Sequence, residues 1–204
     1  MEQKIAKSPI MLYFEDTPNP ESLKFVTNRM LWRGTADFKE QALAEEWSPL
    51  AKMLFELPYC KGVYISNNFV TVTKEFNYEW EDLKYKLKEL IKNYIEEDGV
   101  LIKEGFQEAM DKIEAERGAS YEYSEADADI VKKIKELIET YVKPAVEMDG
   151  GNIAFKHFDK GIVTVILQGS CSGCPSSTVT LKAGIEGMLK RMVPEVEEVV
   201  AEMG

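Results

Sequence analysis

Two cysteines, Cys171 and Cys174, stand in Gly169-Ser-Cys-Ser-Gly-Cys-Pro-Ser-Ser177, the stretch of this chain where distinctive side chains have a spacing that chemistry demands. With two residues between them, the sulfurs can turn toward one point, and Ser172 and Gly173 leave the backbone free to curl beneath, as a metal or cluster loop requires. The same spacing serves dithiol enzymes, so a thiol-disulfide couple, with Cys171 attacking and Cys174 resolving, stays open beside zinc and iron-sulfur sites. Donor counting separates these. A closed zinc site or a cubane cluster takes four protein ligands, whereas the loop offers two and the rest of its domain adds only His157. The shortage is resolved if two chains meet about a two-fold axis and each contributes one loop, which couples ligand binding to dimerisation. A zinc-bridged structural dimer satisfies that count as well as iron does.

Other candidates carry less. Cys60 follows Pro58-Tyr59 in an apolar neighbourhood and reads as a small buried hydrophobe rather than a third ligand. His157 is the only histidine; it falls in an expected strand, reads as a surface or hairpin residue, and has no His-Glu-x-x-His context. Lys182, on the helix after the loop, reads as a solvated lysine. Three cysteines in 204 residues are too few for a disulfide framework.

The elements around the loop explain how it is held. The β-branched run 161–168 reads as a strand, and Pro175 suits the first turn of a helix with Ser176 or Ser177 as a cap. The cysteines therefore sit on a strand-to-helix turn, where backbone N–H groups and the positive end of a helix dipole converge on an anionic ligand. Upstream, Ile130, Ile134, Leu137, Ile138 and Tyr141 mark a helix, Pro144 predicts a kink, and 153–158 pairs with 162–167 through Asp159-Lys160-Gly161. Downstream, a helix from Val179 to Met192 stops at Pro194, and 196–201 is a third strand.

The first half holds strands at 10–14 and 22–27, a helix capped by Ser48-Pro49, a hairpin turning at Asn67-Asn68, and an amphipathic helix from Trp80 to Ile95. The fold class is α+β: two small two-layer α/β-sandwich-like domains, residues 1–98 and 124–204, joined by an acidic linker at 99–123 that is partly helical over 105–117. A net charge of −11 excludes a nucleic-acid footprint. No apolar run reaches the roughly 18 residues of a membrane span, and Met-Glu-Gln-Lys-Ile-Ala-Lys lacks a secretory apolar core, so the expectation is a cytoplasmic protein with no membrane partner.

Residues 124–204 resemble the carboxy-terminal domain of the NifU-like (Nfu) iron-sulfur scaffold and carrier family. The matching stretches are Val142-Lys-Pro-Ala-Val-Glu-Met-Asp-Gly-Gly-Asn152, the cysteine loop, and Thr180-Leu-Lys-Ala-Gly-Ile-Glu186 running to Val193-Pro-Glu-Val196. Residues 11–97 are similar to the family's amino-terminal domain through Thr17-Pro-Asn-Pro-Glu-Ser-Leu-Lys-Phe25, Ser48-Pro-Leu50, and Phe69-Val-Thr-Val-Thr-Lys74 followed by Trp80. The resemblance implies a 4Fe-4S cluster bound between two copies by Cys171 and Cys174 of each, so a homodimer forms on cluster binding. It also implies an upstream cluster donor, transfer to apo iron-sulfur proteins, and no catalytic turnover.

Overall fold

Asn67 takes a left-handed backbone conformation, φ 47°, and turns the hairpin between two strands, as its residue type anticipates. The computed structural model describes residues 9–118, 127–172 and 175–203. In the first half, β1 (Leu12–Asp16), β2 (Ser22–Thr27), β3 (Trp32–Phe38), β4 (Cys60–Asn67) and β5 (Phe69–Lys74) form an antiparallel sheet in the order β1-β2-β5-β4-β3. Helices α1 (Gln41–Trp47), α2 (Pro49–Phe55) and α3 (Trp80–Glu96) share a core with one face of this sheet. Leu83, Leu87, Ile91 and Ile95 of α3 recur at helical spacing and are buried there with Phe25 and Val70 of the strands.

Ser48 does what its position predicts. Its Oγ accepts the Ala51 N–H at 3.0 Å at the start of α2, and the same hydroxyl donates to Leu101 O at 2.6 Å. That second bond, with Lys103 N–H on Trp47 O at 2.9 Å, fastens residues just beyond 98 to the first core. The stretch expected to be linker therefore opens as part of the first body. Ile102 and Phe106 are buried, and α4 (Phe106–Gly118) starts with the Phe106 ring 5.7, 5.9 and 6.4 Å from those of Phe38, Trp47 and Trp32.

The second half has its own core. Its elements are α5 (Ala128–Leu137), a π-helical turn (Ile138–Val142), α6 (Lys143–Met148), β6 (Gly151–Asp159), β7 (Ile162–Gly169), α7 (Pro175–Met192) and β8 (Glu198–Met203). The sheet runs β6-β7-β8, antiparallel then parallel, and α7 is the crossover that a parallel pair needs. The chain is α+β with two domains.

The kink expected at Pro144 is absorbed one turn earlier. Proline supplies no N–H and its ring crowds the preceding turn, and the helix widens so that Lys143 N–H bonds Ile138 O, five residues back. The extra residue shifts the phase of the apolar stripe. Tyr141, expected in the core, is 60% exposed, and Val142 takes its place at 6%.

Candidate functional site

β7 ends at Gly169, whose φ of 63° lets the chain reverse toward α7. A side chain there would meet Gly150 O at 2.8 Å and Tyr64 Cγ at 3.0 Å. The turn is tied to itself: Ser172 N–H and Ser172 Oγ both donate to Gly169 O, at 3.1 and 2.9 Å, and Ser170 Oγ donates to Asp149 O. Cys171 follows, buried at 6% exposure, and α7 begins at Pro175 as its residue type predicts.

The sulfur of Cys171 lies against Gly151. A Cβ on Gly151 would stand 2.8 Å from Sγ and 2.6 Å from Gln168 O, so glycine is what leaves space for the thiol. Burial pushes the Cys171 thiol up to about 11; Ser170 Oγ, 3.8 Å from Sγ, pulls the other way, and Asp149 adds to the rise. In this arrangement Cys171 is a thiol at neutral pH, not the thiolate a metal takes. Cys174 and Gly173 lie outside the described residues, as do the side chains of Ser176 and Ser177 proposed as caps.

The other candidates separate from the loop. Cys60 begins β4 and packs against the first core, where burial pushes its thiol up to about 12. His157 is half-buried in β6 opposite Thr164. Lys182 pairs with Glu198 of β8 at 3.4 Å.

Residues that sequence reasoning did not single out surround the turn from the first domain. Asn19 Nδ2 donates to Ser170 O at 3.1 Å, Thr71 Oγ1 to Gly150 O at 2.8 Å, and Lys24 Nζ to Met148 O at 2.9 Å. Asp37 Oδ2 accepts the Gly169 N–H at 3.3 Å. A cleft of about 220 Å³ opens beside this contact, with Asp37, Lys39, Lys61, Tyr64 and Ser172 in its walls.

Asp37, its side chain 10% exposed, is pushed up to about 6 by burial, against the opposing pull of Lys39 at 3.9 Å and of the Gly169 N–H. An unfolded aspartate titrates near about 3.9, so the folded chain holds this proton more tightly. Asp37's share of stability is then fully present below about pH 4 and is lost as pH rises through about 6. Asp37→Asn, which cannot titrate but still offers Gly169 an acceptor, should flatten that fall; thermal melts of parent and variant between about pH 4 and 7 measure it.

Residues 12–98 match the family described as scaffold protein Nfu/NifU N terminal, and residues 134–200 match the NifU-like domain. The chain belongs to the Nfu family of NifU-like proteins. Proteins named NFU1 iron-sulfur cluster scaffold homolog, mitochondrial, from Drosophila willistoni and Drosophila grimshawi are 39% and 41% identical to it, over 96% and 91% of this chain. One of the same name from Drosophila persimilis is 37% identical over 98% of this chain and 67% of its own length. The chain spans 64% and 59% of the first two. A solution structure of a NifU-like protein from Saccharomyces cerevisiae aligns with 51% of this chain and 94% of that one, at 23% identity and a TM-score of 0.43.

These Nfu relatives are named mitochondrial, which corrects the cytoplasmic expectation. The expectation rested on a missing apolar secretory core. Mitochondrial leaders are amphipathic and arginine-rich instead, so the absence of one signal carries no information about the other. Among the described residues, no helix is long and apolar enough to cross a membrane.

Proposed function

We propose that this chain is an iron-sulfur cluster scaffold and carrier that holds a 4Fe-4S cluster between two copies, through Cys171 and Cys174 of each, and passes it to apo-proteins. The observation that carries the reading is a Cys-x-x-Cys pair between β7 and the start of α7 within a NifU-like domain. The names of the relatives support the scaffold role. The loop offers two sulfurs where a cubane takes four protein ligands, which favours a site completed by a second copy. The role is stoichiometric: the cluster is cargo, and the protein turns nothing over.

The donor set suits the cargo. Thiolates are the ligands iron-sulfur clusters take, Gly151 accommodates the Cys171 sulfur, and the positive dipole end of α7, which starts at Pro175 one residue after Cys174, would favour an anionic cluster held there. A cluster shared across two chains is also easier to surrender, because separating the copies exposes it to an acceptor's thiolates. Anaerobic incubation of the full chain with ferrous iron, sulfide and a thiol reductant tests the reading. Broad visible absorption and a shift from monomer to dimer in sedimentation should appear together, at about one cubane per two chains. A complete cluster on a lone chain, or a reversible disulfide with no cluster, overturns it.

A further inference from the structure

The central strands β2, β4 and β5 of the first sheet are buried on both faces. One face lies on its own helices. The other carries Lys24, Tyr64, Phe69 and Thr71, which are 8%, 1%, 3% and 1% exposed. β5 alternates Val70 and Val72 toward the helices with Phe69, Thr71 and Thr73 outward, yet Phe69 and Thr71 are nearly as buried as the valines, as in a sheet covered on both faces. What meets this second face is the cysteine end of the NifU-like domain. The side chains of Asn19, Lys24, Asp37 and Thr71 reach the backbone at Met148, Gly150, Gly169 and Ser170. The Tyr64 ring stands 3.0 Å from where a side chain on Gly169 would begin. All four bonds end on main-chain atoms around the turns that hold Cys171: Met148, Gly150 and Ser170 accept, Gly169 donates, and Gly169 and Ser170 immediately precede the cysteine.

We propose that the first domain is a cover for the cysteine turn: its outer sheet face docks on the Gly150 and Gly169-Ser170 turns and must leave before two copies can share a cluster. The interpretation as a cluster gate rests on the function proposed above; the docking itself does not. Two loops that ligate one cubane have to face each other with nothing between them, whereas here Ser170, 1% exposed, is held by Asn19, and Cys171, packed in its own domain's core, has Tyr64 of the docked sheet as an electrostatic neighbour. The four hydrogen bonds grip main chain on the flank of the turn, so they can release it without competing for the metal.

The test is the native-state alkylation rate of Cys171 in the full apo chain, read by peptide mapping with iodoacetamide, in the parent and in the double variant Asn19→Asp/Thr71→Val. Asn19→Asp keeps the oxygen that accepts the Glu21 N–H but faces Ser170 O with a carboxylate instead of an amide donor, and Thr71→Val removes the donor to Gly150 O at constant shape. Cys171 should react at least about tenfold faster in the variant, with Cys60 unchanged as the internal report on the first domain's fold. Equal Cys171 rates overturn the proposal. If Cys60 accelerates as well, the variant has loosened its own domain, and acetylation of Lys24 in the parent decides instead. Lys24 should react at least about tenfold faster once the visible absorption shows a loaded cluster, and an unchanged rate in the loaded chain overturns the gate. Failure to load at all counts against the scaffold reading, and the alkylation comparison then decides docking by itself.

Discussion

Cys171→Ser, or Cys174→Ser, should leave the protein colourless and monomeric after anaerobic incubation with ferrous iron and sulfide, while Cys60→Ser should load like the parent. The effect is large because the site is shared. A single substitution in the gene removes the same position from both copies, so two of the four proposed sulfur donors vanish together. Serine is no replacement: its hydroxyl stays protonated at neutral pH and is a poor ligand for iron in a sulfide cluster, where thiolate is the rule. Cys60 is a sound control because it packs against the first core with its thiol pushed up to about 12. Visible absorption with iron and sulfide analysis reads loading, and sedimentation reads the dimer. A Cys171→Ser chain that keeps a full complement of iron and sulfide, or a Cys60→Ser chain that loses it, would contradict the ligand assignment.

The loop was legible because its information is local. Two sulfurs with a fixed interval, a β-branched strand before them and a proline after them all fall within 16 residues, counting from Ile162 through Ser177. What surrounds the loop was not legible. Asp37 and Gly169 are 132 positions apart and Asn19 and Ser170 are 151 apart, and neither Asp37 nor Asn19 sits in a pattern that marks a partner at such a distance. The usable signal was the aromatic pair Tyr64 and Phe69 at outward positions of β4 and β5, where a sheet facing water carries polar side chains, and the hairpin reading did not use it. Two elements of the first domain went unseen for a similar reason. β3 reads Trp-Arg-Gly-Thr-Ala-Asp-Phe, whose inward residues include Gly34 and Ala36, too small to raise an apolar signal. α1 has seven residues and a single fully buried one, Ala44. Tyr141 failed differently: helical periodicity was right up to Ile138, and the π turn then added one residue that no count by 3.6 anticipates.

Phe106→Ala should cost the first domain about 3–5 kcal/mol, while Ile113→Ala, seven residues along the same helix, should change stability by less than about 0.5 kcal/mol. The contrast follows from how far along α4 they stand: seven residues apart, they share one face of the helix, and burial falls along it. Phe106 is 2% exposed and meets Trp32, Phe38 and Trp47, whereas Ile113 is 40% exposed. Removing the ring leaves a cavity among side chains already fixed by β3 and α1, so the hole cannot collapse cheaply. The protein supplies its own reporter, because all three tryptophans, Trp32, Trp47 and Trp80, are in the first domain. Their fluorescence melt should shift down by at least about 12 °C in Phe106→Ala and hardly at all in Ile113→Ala. A Phe106→Ala melt that coincides with the parent's would mean that residues 101–110 are linker after all. The docking proposal depends on the outcome too. If Phe106 anchors this stretch, the chain between the domains is shorter than its composition suggests, and the cover stays close to the cysteine turn even when it is released.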